Sequence, residues 1–193
     1  MAVARIVGAL LAAGSGSRFG GNKLEAMLAG TMIGEHAAHA LAGCGCDWNV
    51  AICRPDAAGL GTALDALGFL RIFNDTPEAG LSHSLGLAAQ YAIRCGAEGV
   101  LVCLGDMPFV TTAHLEQLLC AFDATNRESC VASLHGAIRM SPAIIPASLF
   151  AALATLSGDH GARALLQDAI CVATDPALLA DIDTRPDLAA HGV

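Results

Sequence analysis

The sequence predicts an α/β fold, a single domain over residues 1–193 with a mainly parallel sheet and helices on both faces. Three observations lead there. Short apolar runs alternate with segments of helical spacing along the whole chain, with no low-complexity linker or repeat between them. The 193 residues are 54% hydrophobic but only 4% aromatic, and 21 are glycine, so the core is Ala, Leu, Ile and Val around tight loops. The first apolar run also leads straight into a glycine-rich loop, and parallel sheets bind ligands in such loops beyond the carboxyl ends of their strands.

Taken in order, ARIVGALLA (4–12) is a buried strand, β-branched and apolar throughout. After the loop AGSGSRFGGNK, a helix is expected at about 32–42, then a strand at 49–54 (NVAICR), and Pro55 and Asp56 open a helix through about Leu67. FLRIF (69–73) is a third strand, ended by the turn residues NDTPEAG. Ser82 to Arg94 has helical spacing behind a Ser cap, and GVLVCLG (99–105) is the most strand-like segment of all. Thr111 or Thr112 caps the helix AHLEQLLCAF, SCVASL (129–134) is another strand, and helical stretches follow near 147–155 and 160–168. AICVAT and LLADIDT offer short strands before a last helical turn at RPDLAA.

Charge and cysteine usage exclude several functions. A net charge of −8 argues against nucleic-acid and anionic-membrane surfaces, which attract basic patches. Residues 1–14 fit a buried strand better than a signal peptide, and Met140 to Gly158, the longest uncharged stretch, is interrupted by Pro142 and Pro146. A cytoplasmic protein that does not span a membrane is expected. The eight Cys include no CxxC pair, and Cys44 and Cys46 with His36 and His39 lack zinc-site spacing, so reduced, mostly buried thiols are expected.

An acidic protein can still hold phosphate through backbone N–H groups and a few cations. The loop from Leu11 to Lys23 offers both. Four glycines (Gly14, Gly16, Gly20, Gly21) let the backbone turn its N–H groups toward a ligand, and Arg18 and Lys23 add positive charge, as a triphosphate requires. A Walker loop is excluded because Asn22 separates Gly21 from Lys23 and Leu24 follows. A dinucleotide fingerprint is disfavoured because the third glycine is displaced to Gly20.

At the end of the strongest strand stands Leu104-Gly105-Asp106-Met107-Pro108. A carboxylate there suits Mg²⁺, which takes few protein oxygens beside substrate phosphates; the plainer alternative is that Asp106 caps the next turn. Gly80-Leu81-Ser82-His83-Ser84-Leu85 reads as a helix N-terminus whose serines serve either capping or a polar ligand, with His83 facing solvent.

LAAGSGSRFGGNK resembles the L-A-(A/G)-G-x-x-x-R-(M/F)-G-x-x-K signature of the molybdenum cofactor nucleotidylyltransferases, within a wider group that includes sugar-phosphate and methylerythritol cytidylyltransferases. The resemblance spans nearly the whole chain in family order. It implies a Rossmann-related nucleotidyltransferase fold, with Arg18 and Lys23 on the triphosphate and Leu11, Ala12, Ala13, Gly14, Ser15 and Gly16 beside base and phosphates. It further implies Ser82 and Ser84 facing base or ribose, Asp106 as Mg²⁺ ligand, and Asp183, in Asp181-Ile182-Asp183-Thr184, completing the metal site. Asp181 is expected to be structural. Ala13 matches the cytidine-using form, so the implied reaction moves CMP from CTP onto molybdopterin cofactor with release of pyrophosphate, the product being used by molybdenum hydroxylases. A transient contact with such a hydroxylase is a corollary.

Gly158-Asp159-His160-Gly161-Ala162-Arg163 also resembles a family segment. Two departures stand out: Thr184-Arg185-Pro186-Asp187 replaces T-P-E-D, and Met140 stands before Ser141 where relatives have glycine, which bears on the acceptor side. The competing readings are another phosphorylated acceptor, a dinucleotide redox enzyme, and a non-catalytic cofactor carrier.

Overall fold

The computed structural model describes residues 5–14, 16, 18–154 and 164–191. Its first strand, β1 (Ile6–Ala12), has every residue buried and sits mid-sheet. The short hairpin β2 (Met27–Leu28) and β3 (Thr31–Met32) leads into helix α1 (Ile33–Gly43). Strand β4 (Trp48–Cys53), helix α2 (Ala58–Ala66) and strand β5 (Leu70–Phe73) follow, then helix α3 (Leu81–Cys95) and strand β6 (Gly99–Leu104). Helix α4 (Thr112–Ala124) precedes β7 (Val131–His135), β8 (Ile138–Pro146) and the short helix α5 (Phe150–Leu153). Strand β9 (Ile170–Ala173) and helix α6 (Arg185–His191) end the described chain.

The seven-stranded sheet runs β5-β4-β1-β6-β8-β7-β9. Strand β8 pairs antiparallel with both β6 and β7, while the other pairings are parallel. Both faces are covered. Ile6, Leu10, Leu101 and Cys103 pack with α1, α2 and α4, while Val7, Ala9, Val100 and Val102 pack with α3 and α5. Double burial is why these strands read as unbroken apolar runs rather than alternating ones.

Chain order reverses between β1 and β6, because β4 and β5 lie to one side of β1 and β6 to the other. Such a switch point opens a crevice at the carboxyl ends of the two strands, flanked by their outgoing loops. Gly105 N–H donates to Leu11 O at 3.0 Å and ties those two exits together.

Several expectations need correction. Helix α3 starts at Leu81 behind Gly80, whose φ of +84° suits glycine, so Ser82 lies inside the first turn and is not the cap. Helix α2 starts at Ala58, beyond Pro55 and Asp56, and Asp56 instead pairs with Arg54 at 2.7 Å. The stretch near 147–155 begins as a 3₁₀ turn at Ala147–Leu149 before α5, and LLADIDT forms the end of a 3₁₀ turn (Pro176–Leu179) and extended coil, not a strand. Strand β8 occupies a stretch for which the sequence pattern predicts no strand. Of the Cys, Cys120 is exposed and Cys46, Cys95 and Cys171 are half-buried; only Cys44, Cys53, Cys103 and Cys130 are buried. His83 is half-buried, with Nδ1 2.8 Å from Thr76 Oγ1. No helix among the described residues is long and apolar enough to cross a membrane.

Candidate active site

The crevice collects its charged residues from three distant parts of the chain. Lys23 opens a 3₁₀ turn (Lys23–Glu25) after the glycine loop, Asp106 follows β6, and Asp183 lies on the extended segment before α6. Lys23 Nζ donates to Asp106 Oδ2 at 2.8 Å and to Asp183 Oδ1 at 2.9 Å. Burial disfavours the Lys23 ammonium, but the charges and hydrogen bonds of Asp106 and Asp183 together outweigh it and raise its pKa. Lys23 is therefore a fixed cation with its side chain only 11% exposed.

The loop backbone places that lysine. Phe19 N–H donates to Gly16 O at 2.9 Å, closing a turn, and Gly16 has φ +57° with space for a Cβ only 2.9 Å from Gly21 O. Glycine is needed there. Asp183 is set by two anchors. Ile182, fully buried, donates its N–H to Asp106 O at 2.9 Å, which registers the segment against the β6 exit. Asp187 Oδ2 accepts from the N–H groups of Asp183 (3.1 Å) and Thr184 (2.7 Å), while Asp187 N–H donates to Thr184 Oγ1 at 3.3 Å. This reciprocal cap starts α6 although proline does not directly follow Thr184.

Arg18, Lys23, Asp106 and Asp183 are thus brought together, although Arg18 is 80% exposed and reaches Asp183 only at 3.5 Å. Leu11 and Ala12 end β1 and are buried, Ala13 is buried after them, and Gly14 is exposed. Ser82 and Ser84 are not part of the lysine cluster. Both are buried in the first turns of α3, and Ser84 Oγ accepts from Asn74 Nδ2 at 3.0 Å, with Asn74 Oδ1 accepting from Thr76 N–H at 2.9 Å. Ser15 and the Gly158–Arg163 motif lie outside the described residues.

Beside this cluster is a cavity of about 770 Å³ that sequence reasoning missed. Leu81, Leu85, Val102, Leu104, Ala143 and Ile145 form apolar walls, and Arg139, Ser141, Gln167 and Asp181 supply polar groups. Burial first, then the charges of Asp183 and Asp106, push the Asp181 carboxyl above its ordinary pKa. Asp181, expected to be structural, is among the residues that line the cavity. The available signal was its spacing from Asp183, since residues two apart on an extended segment share a side.

A family model described as the MobA-like NTP transferase domain matches residues 8–175, which include the glycine loop and Asp106. The chain belongs to the MobA-like NTP transferase family. Its fold and its family chemistry, transfer from a nucleoside triphosphate, follow from that membership. The purine catabolism protein PucB of Bacillus subtilis (strain 168) is 32% identical over 194 residues, covering 93% of this chain and 92% of PucB. Rv0371c of Mycobacterium tuberculosis H37Rv superposes with a TM-score of 0.82 at 22% identity, covering 98% of each chain. A manganese complex of Rv0371c gives 0.75 at 22% identity, covering 96% of this chain and 97% of the other. These structural matches concern the MobA-like fold.

Proposed function

We propose that this MobA-like transferase moves CMP from CTP to the phosphate of molybdopterin cofactor. An oxygen of the acceptor phosphate attacks the α-phosphorus in line; the bond to the bridging oxygen of the β-phosphate breaks, and pyrophosphate leaves with that electron pair. The acceptor oxygen is already anionic at neutral pH, so positioning and charge neutralisation supply the rate. Lys23 faces the triphosphate as a fixed cation, and Arg18, exposed at the mouth, closes over it. The backbone of Leu11 to Gly16 lies against base and phosphates, with Ala13 the cue for cytosine, and Ser82 and Ser84 shape the α3 end near the ribose.

The observation that carries the reading is Lys23 held between Asp106 and Asp183 at the switch point. The two carboxylates fit Mg²⁺, a hard cation that takes few protein oxygens when phosphates supply others. When bound, the ion would neutralise charge on the phosphates.

The cavity supports the acceptor. A polyol phosphate needs a hydrogen-bonding partner for each buried hydroxyl, whereas these walls are largely leucine, isoleucine, valine and alanine. A flat heterocycle with apolar faces and a polar edge suits them better, as molybdopterin does. The name of the PucB relative, from purine catabolism, agrees with a product delivered to a hydroxylase acting on purines, reached by transient contact in the cytoplasm. Exchange of radiolabelled pyrophosphate into CTP, with molybdenum cofactor and Mg²⁺ present, tests the reading. No Mg²⁺-dependent exchange into CTP or GTP with the cofactor present would leave carriage or redox chemistry instead.

A further inference from the structure

Strand β8 breaks its pairing with β7 beside the cavity. Ala132 pairs with Ala143, but the next residue, Ser133, pairs with Met140, so Ser141 and Pro142 bulge out of the ladder. Ile138 to Met140 on one side of this bulge, Ser141 within it and Ala143 on the other side line the cavity. Bulges redirect side chains and are common beside functional sites. This one is held from below by two buried polar residues, neither of which touches the cavity.

Ser133 in β7 has no exposed surface, and its Oγ is 2.7 Å from Pro142 O inside the bulge. A carbonyl only accepts, so the single Ser133 hydroxyl proton is committed to it. His114 of α4, only 2% exposed, places Nε2 2.8 Å from the same Oγ, which must therefore accept from Nε2–H. The proton assignment leaves His114 Nδ1 as a buried lone pair with no hydrogen bond of good geometry, although the Gln117 side chain interacts with the ring. An apolar helix residue would fill this core without that cost, so the polar chain has a specific geometric product. It fixes where the bulged wall stands.

We infer that His114 and Ser133 are positioning residues for the acceptor, holding the β8 bulge so that residues 138–141 form the wall against which the acceptor body lies. This rests on the proposed function only in taking the cavity as the acceptor's. The nucleotide side is independent, since Lys23 and the glycine loop make none of these contacts.

The test uses the full chain with CTP, Mg²⁺ and molybdenum cofactor, comparing Ser133→Ala, His114→Leu and His114→Gln. Gln keeps a donor at the distance of Nε2; Leu does not. Ser133→Ala and His114→Leu should raise the acceptor KM roughly tenfold while the CTP KM and kcat stay within about twofold, and His114→Gln should restore most of the loss. Hydrogen exchange supplies a readout independent of turnover. Amides 136–146 should exchange faster in Ser133→Ala, and those of 18–28 should not. Unchanged exchange over 136–146, an unchanged acceptor KM, equal changes in both KM values, or a Gln variant no better than Leu would each overturn the inference. Failure of the unmodified protein to transfer CMP would count against the proposed function, while the exchange comparison would still decide whether the pair holds the bulge.

Discussion

Replacing Lys23 with methionine keeps the aliphatic stem and removes one charge from between two carboxylates. Lys23 Nζ sits 2.8 Å from Asp106 and 2.9 Å from Asp183, whose side chains are 26% and 40% exposed. A charge-assisted hydrogen bond contributes about 1.5–3 kcal/mol when shielded, and partial exposure lowers each here to about 1 kcal/mol. The loss of both should therefore cost about 2 kcal/mol, or roughly 4–8 °C of melting temperature for a chain of this size. The kinetic effect should be larger. A fixed donor aimed at developing charge contributes about 10²–10³ in rate, so Lys23→Met should lower kcat at saturating CTP by about that factor. Two carboxylates relieved of their lysine should also bind a divalent cation more readily, so Mg²⁺ should raise the variant's melting temperature more than the parent's. Differential scanning fluorimetry with and without Mg²⁺, alongside pyrophosphate release, reads all three. A variant melting several degrees lower but turning over within tenfold of the parent would show that Lys23 braces the fold and does not act on the triphosphate.

The same lysine predicts an alkaline limit. Its pKa is raised above the ordinary 10.5, so its contribution is complete below the unfolded value and is lost as pH rises through the folded one. The melting-temperature gap between parent and Lys23→Met should be constant to about pH 10 and close above it; a gap that widens with pH would refute the ion-pair account. Asp106→Asn should lower turnover by at least about 10²-fold and abolish the Mg²⁺-dependent melting shift, and near-full activity would remove Asp106 from the metal site. Gly16→Ala must adopt φ +57° with its Cβ 2.9 Å from Gly21 O and 3.3 Å from Lys23 Cβ, so it should raise the CTP KM about tenfold or more. An unchanged CTP KM, measured by initial rates, would show that the loop does not place Lys23.

Much of the sheet was legible because β1, β4 and β6 are buried on both faces and so are apolar throughout. The glycine loop and Asp106 were legible for a related reason, since both leave such strands at the switch point. Strand β8 was hidden by Pro142 and Pro146, which ordinarily exclude a central strand; the bulge takes Pro142 out of the ladder, and Pro146 ends the strand. Ser82 reads as a cap in the sequence because a Ser before an apolar helical run is a common start signal, yet Gly80 already supplies the required turn. Asp183 was placed by resemblance alone. Nothing local in DIDT shows that Ile182 docks on Asp106 O or that Asp187 clamps its amides, because those contacts join residues far apart in the chain or depend on where α6 begins. The cavity was illegible for the same reason, being made where α3, β6 and the β7–β8 hairpin meet.

Cytidylyl transfer to a phosphorylated heterocycle is tested by assaying that transfer itself. The purified chain, Mg²⁺ and molybdenum cofactor would be incubated with CTP or GTP, and the products resolved by mass spectrometry. The expected result is a cytosine dinucleotide of the cofactor with one pyrophosphate released per transfer, little product from GTP, and none from Asp106→Asn. Equal or preferential use of GTP would contradict the assignment of the base to Ala13. Absence of any dinucleotide, with the cofactor bound but unchanged, would contradict the transfer itself.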